Sequence, residues 1–276
     1  MTVTIVIVAF NAREDLERCL VSLRQAPPRS THEVIVVDNA STDGAPDLVR
    51  RAFPDVRLLE APGNLGFSAG NNLAIRESRS ELLLLLNPDT VVPPGAVDTL
   101  IAALRAHPEA AAIGPRLADA EEGAELSFGP MPSPWGEAWQ RFLGGAHRRH
   151  VWPIHGWVES MTRQDRTVAW VSGACLLVRR ADALAVGLLD ERFFIYWEDV
   201  DFCAALRATG RTVRFTAAAT VTHLRGRSAV GRRPSVTAAY RRGQLAFYRK
   251  WKPRWARLLA SYLRWRGQDP EKSPLE

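Results

Sequence analysis

The sequence predicts an α/β protein: a mostly parallel central sheet flanked by helices, with a helical extension at the C-terminus. Strand-like and helix-like segments alternate through the first hundred residues, as parallel sheets with crossover helices require. The apolar runs stop at polar residues, among them Asn11, Asp38 and Asp89, and ligands collect at the carboxyl ends of strands in such sheets. With 276 residues, 46% hydrophobic and 24% charged, the chain has ordinary globular composition and length enough for one large domain with decorations.

Val3 to Phe10 is a β-branched run that reads as the first strand. Leu16, Cys19, Leu20 and Leu23 recur at helical spacing, and Pro27 and Pro28 break that helix. Glu33 to Val37 reads as a buried strand ending at Asp38. A helix through Leu48 to Phe53, a strand at Val56 to Leu59, a helix from Ser68 to Ser78 and a strand from Leu82 to Leu86 follow. Residues 119–166 are less regular, with Gly144-Gly145, several prolines and four tryptophans (Trp135, Trp139, Trp152, Trp157). Val168 to Val178 reads as a strand, Ala181 to Gly187 as a short helix, Asp199 to Thr209 as a longer helix closed by Gly210, and Val213 to Thr222 as β-like.

Charge is unevenly spread. Residues 1–201 hold 19 Lys/Arg against 27 Asp/Glu, whereas 202–268 hold 16 Lys/Arg and no acid. Such a block suits nucleic acid, anionic lipid or phosphorylated ligands. The odd count of Cys19, Cys175 and Cys203, without CxxC spacing, favours a reduced, cytosolic protein over a disulfide framework. The chain starts directly in a strand, so no signal peptide is expected. No apolar run approaches the ~20 residues of a membrane span.

Several strand ends carry residues suited to chemistry. Asp38 to Gly44 places two carboxylates and three small polar side chains in one turn. Ser41 or Asp43 suits a helix cap, but Asp38 ends an apolar strand and needs a partner, which a base or ribose would supply. In Asn64 to Asn72, Gly66 and Gly70 at a loop-to-helix junction suit close approach of backbone to an anionic ligand. No GxGxxG follows the first strand, so this is not the dinucleotide fingerprint. Asn87-Pro88-Asp89 follows five leucines; Asp89 suits either Mg²⁺ or Mn²⁺ holding a diphosphate, or a helix cap. Glu198, Asp199 and Asp201 open a helix beside Tyr196 and Trp197. They either complement its dipole or include a carboxyl of raised pKa that takes a proton. His223 ends a β-like run before the basic loop Arg225 to Ser228, and with Asp89 in the chain a metal role becomes reasonable.

As an ordered set, these segments resemble family 2 of the GT-A-fold glycosyltransferases, and within it the bacterial rhamnosyltransferase-like branch. The resemblance covers roughly residues 2 to 250 and rests on Val6 to Asn11, Asp38 to Gly44, Asn64 to Asn72 with Asn87-Pro88-Asp89, and Trp197 to Asp201 with His223. It implies that Ala9, Phe10, Asn11, Asp38, Asn64, Gly66, Phe67, Asn71, Asn87 and Asp89 line the nucleotide-sugar donor. Ser172, Gly173 and Trp197 would lie on the acceptor side. Asp89 and His223 would hold a divalent cation, Mg²⁺ or Mn²⁺, with Asp199 as general base and Glu198 in support. The family's metal motif often reads Asp-x-Asp, and Asn87 stands at its first position here. The implied organisation is a catalytic domain over 1–235, with a nucleotide-binding half at 1–115 and an acceptor half at 116–235. A basic, Trp-rich extension then runs over 236–276.

The resemblance implies an inverting hexosyltransferase, using a dTDP or UDP donor and a glycan or polyprenyl-linked acceptor in cell-envelope polysaccharide synthesis. Residues 119–166 then fit either a mobile, partly apolar acceptor loop or an excursion packed by its aromatics. After Pro253, Trp255, Leu258, Leu259, Tyr262 and Trp265 form a helical stripe among Arg254, Arg257, Arg264 and Arg266. That stripe suits an anionic membrane surface, the enzyme's own body, or a second copy in a homodimer. The expected location is cytoplasmic, peripheral to the inner membrane. A pyrophosphorylase-like nucleotidyltransferase would need a Gly-rich basic loop that Asn11-Ala12-Arg13 does not supply. A nucleic-acid-binding module would leave the acids unexplained, and a non-catalytic nucleotide-sugar-binding relative would not need them all.

Overall fold

The computed structural model describes residues 2–119, 123–224 and 233–268; the loop Arg225 to Ser228 singled out above lies outside the described residues. The first half alternates as the sequence predicts: β1 (Val3–Ala9), α1 (Arg13–Gln25), β2 (His32–Asp38), α2 (Ala45–Ala52), β3 (Arg57–Glu60), α3 (Gly66–Glu77) and β4 (Leu82–Leu86). Next come β5 (Thr90–Val91), α4 (Ala96–Arg105), β6 (Ala110–Asp119), β7 (Gly123–Ala124), β8 (Phe128–Gly129), α5 (Pro134–Arg148) and α6 (Ile154–Met161). β9 (Arg166–Val168), β10 (Trp170–Val171), β11 (Cys175–Arg179), α7 (Arg180–Ala185), α8 (Glu198–Ala208), β12 (Thr212–His223), α9 (Arg233–Trp251) and α10 (Pro253–Trp265) follow.

The main sheet runs in the order β3-β2-β1-β4-β11-β6-β12-β5 and so spans both halves of the chain. The first four strands are parallel, β11 is antiparallel to both β4 and β6, and β12 returns to parallel against β6. Every residue of β1 and β4 is buried, because helices cover both faces; the one polar residue among them, Thr4, has its hydroxyl met by those of Ser78 and Ser80. Successive β1 residues point to opposite faces. Val3, Ile5 and Ile7 join one core with Leu16, Leu20 and Leu100, while Val6 and Val8 join the other with Ile75, Phe202 and Leu206.

Two regions depart from the sequence expectation. Val168 to Val178 is not one strand: β9 pairs with β12, β10 with β8, and β11 enters the main sheet. The break leaves Ser172, Gly173 and Ala174 as a turn at the sheet's end. Residues 134–148 and 154–161 form helices although glycines and prolines suggested irregularity. Ser133 caps α5 by accepting from the Gly136 amide at 3.1 Å, and Pro134 suits the first turn, where no amide donor is needed. The tryptophans do not pack this excursion. Trp135 is 80% and Trp152 87% exposed, with Trp139 and Trp157 also on the surface.

The C-terminal helices dock onto the start of α8. Leu245, Phe247 and Tyr248 of α9 bury Trp197, Val200 and Ala204 in a third cluster. Asp201, which the sequence grouped with the cleft acids, points the other way and accepts from Lys250 Nζ at 2.8 Å and Trp251 Nε1 at 2.7 Å. In α10, Ala256 and Leu263 are buried and Leu259 packs inward, but Trp255, Leu258, Tyr262 and Trp265 stay exposed. Most of that stripe therefore does not fold back onto the enzyme. Among the described residues no helix is long and apolar enough to cross a membrane. Asp201→Ala strands the Trp251 indole N–H and leaves Lys250 Nζ with Asp190 alone. It should lower stability in urea unfolding by roughly 3 kcal/mol, and a loss below about 0.5 kcal/mol would count against this tie.

Candidate functional site

The ends of β1, β2 and β4, the turn at 172–174, the start of α8 and the end of β12 surround a cleft of about 1130 Å³. Phe10, Asn64, Gly66, Phe67, Asn87, Asp89, Ser172, Gly173, Trp197, Glu198, Asp199 and His223 all line it. Four further expected residues sit just behind that lining. Ala9 is buried in β1, and Asn11, at φ 49°, uses its side chain to hold the Thr42 amide at 2.8 Å. Asn71 donates to the Phe67 carbonyl within α3. Asp38 is buried, with Oδ2 accepting from the Ser41 amide at 2.9 Å and Oδ1 without a hydrogen-bond donor among the described residues. That oxygen is costly to leave alone and suits a ligand hydroxyl or base N–H.

Protein packing also requires the glycines of the second motif. A Cβ on Gly66, at φ +80°, would lie 2.5 Å from the Phe194 carbonyl, and one on Gly70 would lie 2.8 Å from Val8 Cγ1. Neither position tolerates a side chain without displacing its neighbour. The contact at Gly66 is reinforced: the Phe67 amide donates to the same carbonyl at 2.6 Å, and Ser68 Oγ donates to Phe193 O at 2.6 Å. Gly44 is the N-cap residue of α2, and Asp43 meets its first turn from one residue further out, Oδ1 accepting from the Ala45 amide at 3.0 Å and Oδ2 from that of Arg13, whereas Ser41 Oγ accepts from the Asn11 amide instead.

Asp89 and His223 meet because β5 pairs with β12, setting Thr90 opposite His223. His223 Nε2 lies 3.3 Å from Asp89 Oδ1, and its Nδ1 lies 3.2 Å from Glu125 Oε1. Burial alone would lower the imidazole pKa, but hydrogen bonds and attraction from both carboxylates raise it to about 9. Asp89 caps no helix; α4 begins beyond Gly95. A carboxylate oxygen and an imidazole nitrogen whose other nitrogen is held by a second carboxylate fit a divalent cation. Among the described residues no cluster of three or more such ligands forms, so donor oxygens would have to complete the shell.

Opposite stand Glu198 and Asp199. Asp199 Oδ2 accepts from the Gly173 amide at 3.0 Å and Oδ1 from the Val200 amide at 2.8 Å. Glu198 is 8% exposed and its Oε2 has no donor among the described residues. Burial pushes both carboxyl pKa values up, and Glu198 is raised further by the charge of Asp199. The two amides favour the ionised form of Asp199, whereas Glu198 Oε2 has no such donor among the described residues. Trp197 lines the cleft while its ring packs against Tyr240 and Phe247, with centroids 5.6 and 5.4 Å away.

These features match known proteins in fold and in sequence. The model for "Glycosyl transferase family 2" matches residues 4–183, well over half of the chain. The chain belongs to glycosyl transferase family 2. It is 34% identical over 242 residues to the N-acetylglucosaminyl-diphospho-decaprenol L-rhamnosyltransferase of Mycobacterium tuberculosis, covering 84% of this chain and 78% of that one. The O-antigen biosynthesis protein RfbC of Myxococcus xanthus is 32% identical over 250 residues, of which this chain spans 19% of the length. Among solved structures, a mannosyltransferase of Pyrobaculum calidifontis in complex with GDP-Man and Mn²⁺ superposes with a TM-score of 0.62 at 17% identity. That match covers 90% of this chain and 63% of the other. The protein is therefore a glycosyltransferase of GT-A fold, and the pyrophosphorylase-like and non-catalytic readings are not favoured. Divalent metal accompanies solved relatives of this fold.

Sequence reasoning missed Glu125, Glu137, Arg141 and Tyr240, all of which line the cleft of this family 2 enzyme. Glu125, Glu137 and Arg141 sit in the stretch that lacked a regular pattern, and Tyr240 in the basic C-terminal extension. Nothing in their spacing marks them. Gly66→Ala forces a left-handed side chain into the Phe194 carbonyl, so it should cost at least about 1–2 kcal/mol and lower turnover. Gly63→Ala, where nothing lies within 4 Å, should change neither quantity.

Proposed function

We propose that this glycosyltransferase inverts the anomeric centre of a sugar from a dTDP or UDP donor, on to a lipid-linked or glycan acceptor of the cell envelope. The similarity to a decaprenol-linked L-rhamnosyltransferase favours rhamnose as the sugar. The observation that carries the reading is the Asp199 carboxylate, fixed by two backbone amides in the same cleft as the Asp89–His223 pair.

Asp199 takes the proton of the acceptor hydroxyl as that oxygen attacks the anomeric carbon. The new C–O bond forms as the bond to the nucleoside diphosphate breaks on the opposite face. Glu198, protonated beside it, keeps a second negative charge out of the floor of the cleft. Asp38 Oδ1 suits the base or ribose, and Phe67 and Asn64 flank the donor. Asp89 and His223 would hold the Mg²⁺ or Mn²⁺ ion, which when bound supplies charge stabilisation to the leaving diphosphate. The exposed aromatics of α5, α6 and α10, with Arg254, Arg257, Arg264 and Arg266 nearby, support work at an anionic cytoplasmic membrane face.

Asp199→Asn should cut turnover by roughly 10²–10⁴-fold while calorimetry finds donor binding within about twofold of the parent. Full activity in that variant would sink the assignment. Because burial raises the Asp199 pKa, the base is ionised only above the ordinary carboxylate range. Activity is therefore lost as pH falls through that displaced value, and Glu198→Gln should leave the acid limb where it is, because the amide replaces a carboxyl that is neutral while Asp199 ionises. Stabilisation of the chain by dTDP or UDP should require Mn²⁺ and should weaken in Asp89→Ala. Metal-independent binding of equal affinity in both proteins would refute the cation's place.

A further inference from the structure

We infer that the cleft-facing side of α5 is an anion subsite, in which Arg141 and Arg148 hold a diphosphate carried by the acceptor. The inference rests on the proposed function, since it deepens the acceptor side of the same cleft. Glu137, Gln140, Arg141, Gly144, His147 and Arg148 all line the cleft, and their spacing places them on one helical face. The other face carries Trp135, Trp139 and Phe142, all exposed. A helix on a globular surface is ordinarily apolar inward and polar outward. On α5 Leu143 and Ala146 are buried, but exposed aromatics take much of the outer side, and the solvent-exposed Arg141 and Arg148 border the cleft.

Each part of the stripe fits an anion. Glu137 takes Arg141 Nη2 at 2.9 Å, but it is already anchored to α9 by Gln244 Nε2 and Tyr248 Oη, both at 2.6 Å. The carboxylate therefore steadies the half-exposed Arg141 while other guanidinium N–H groups remain for a ligand. Arg148, exposed, follows two turns later, about 10 Å along the helix axis, within convergent reach of a second long side chain. Between them Gly144 holds space open. A Cβ there would meet only Arg148 Nη1, at 3.7 Å, so no packing contact demands the glycine. A helix-interior glycine costs about 1 kcal/mol against alanine.

His147, 4% exposed, has its Nε2 held at 2.7 Å by the Ala124 carbonyl, and its Nδ1 is buried without a partner among the described residues. The stripe also lies on the acceptor side. Tyr240, which borders the cleft, is within electrostatic range of both Asp199 and Arg141.

The test is calorimetry on the full chain with farnesyl-diphospho-N-acetylglucosamine, the same sugar on an uncharged octyl aglycone, and dTDP and UDP with Mn²⁺. The parent should bind the diphosphate lipid at least tenfold more tightly than the octyl glycoside. The Arg141→Gln/Arg148→Gln double variant should lose that preference while its dTDP or UDP affinity stays within twofold. Gly144→Leu should block the diphosphate lipid without lowering the unfolding temperature. A parent without preference for the diphosphate, or a double variant that keeps it, overturns the subsite. Equal loss of nucleotide affinity would assign the arginines to the donor's own diphosphate and overturn it too. Failure of the parent to bind either nucleotide would instead strike the proposed function itself.

Discussion

The close approach of Gly66 to the Phe194 carbonyl ties together elements that sequence places far apart. One side is α3, whose first turn borders the donor end of the cleft; the other is the segment 189–194, which leads directly into α8 and Asp199. Phe67 N–H and Ser68 Oγ donate to Phe194 and Phe193, and Asn72 exchanges hydrogen bonds in both directions with the Leu189 backbone. Ser68 and Asn72 are buried, so each bond would be expensive to leave unmade, and together they fix one register between the two halves. The separation between the first turn of α3 and the start of α8 is set by this seam rather than by the sheet alone.

The seam delivers a strained backbone to the active acids. Tyr196 and Trp197 both adopt left-handed conformations, at φ 67° and 73°, which bulky side chains rarely accept. Such strain persists only where the surroundings over-determine it. Here α9 supplies that constraint. Gly243 passes so near that a Cβ would lie 2.5 Å from the Tyr196 carbonyl, and Tyr240, Phe247 and Tyr248 enclose the Trp197 ring. Lys250 and Trp251 hold Asp201 one turn beyond. The C-terminal helices are thus part of the apparatus that aims Asp199, which gives α9 a place in function that its basic composition did not reveal.

Much of this was legible in the chain itself. β1 and β4 are buried throughout and β2 over its last four residues, so their apolar runs are unambiguous, and the polar residues that follow them lie at or just behind the cleft. That logic picks out Asp89 and His223, whereas Asp199 stands out as an acid opening a helix. What escaped was anything specified by tertiary pairing. The 168–178 segment splits because three different partners compete for its hydrogen bonds, a fact no local pattern records. Gly66 and Gly70 read as ligand-facing glycines, and a sequence cannot show that close approach to Phe194 and Val8 also requires them. Glu125 became meaningful only when β7 placed it beside His223.

Asn87 has a thermodynamic consequence under the proposed function. With an amide where relatives often carry a carboxylate, Asp89 and His223 are the two protein ligands available at the ends of β4 and β12. A hard divalent cation seeks about six oxygen or nitrogen ligands, so most of its shell must come from the donor diphosphate and water. Cation and nucleotide then stabilise each other's binding, and by linkage the coupling is equal in both directions. Glu125 strengthens the small protein share by orienting the His223 ring and sustaining its negative surroundings. An enzyme arranged in this way would hold a divalent cation firmly only with the donor diphosphate present, since Asp89 and His223 would supply the smaller share of its ligands.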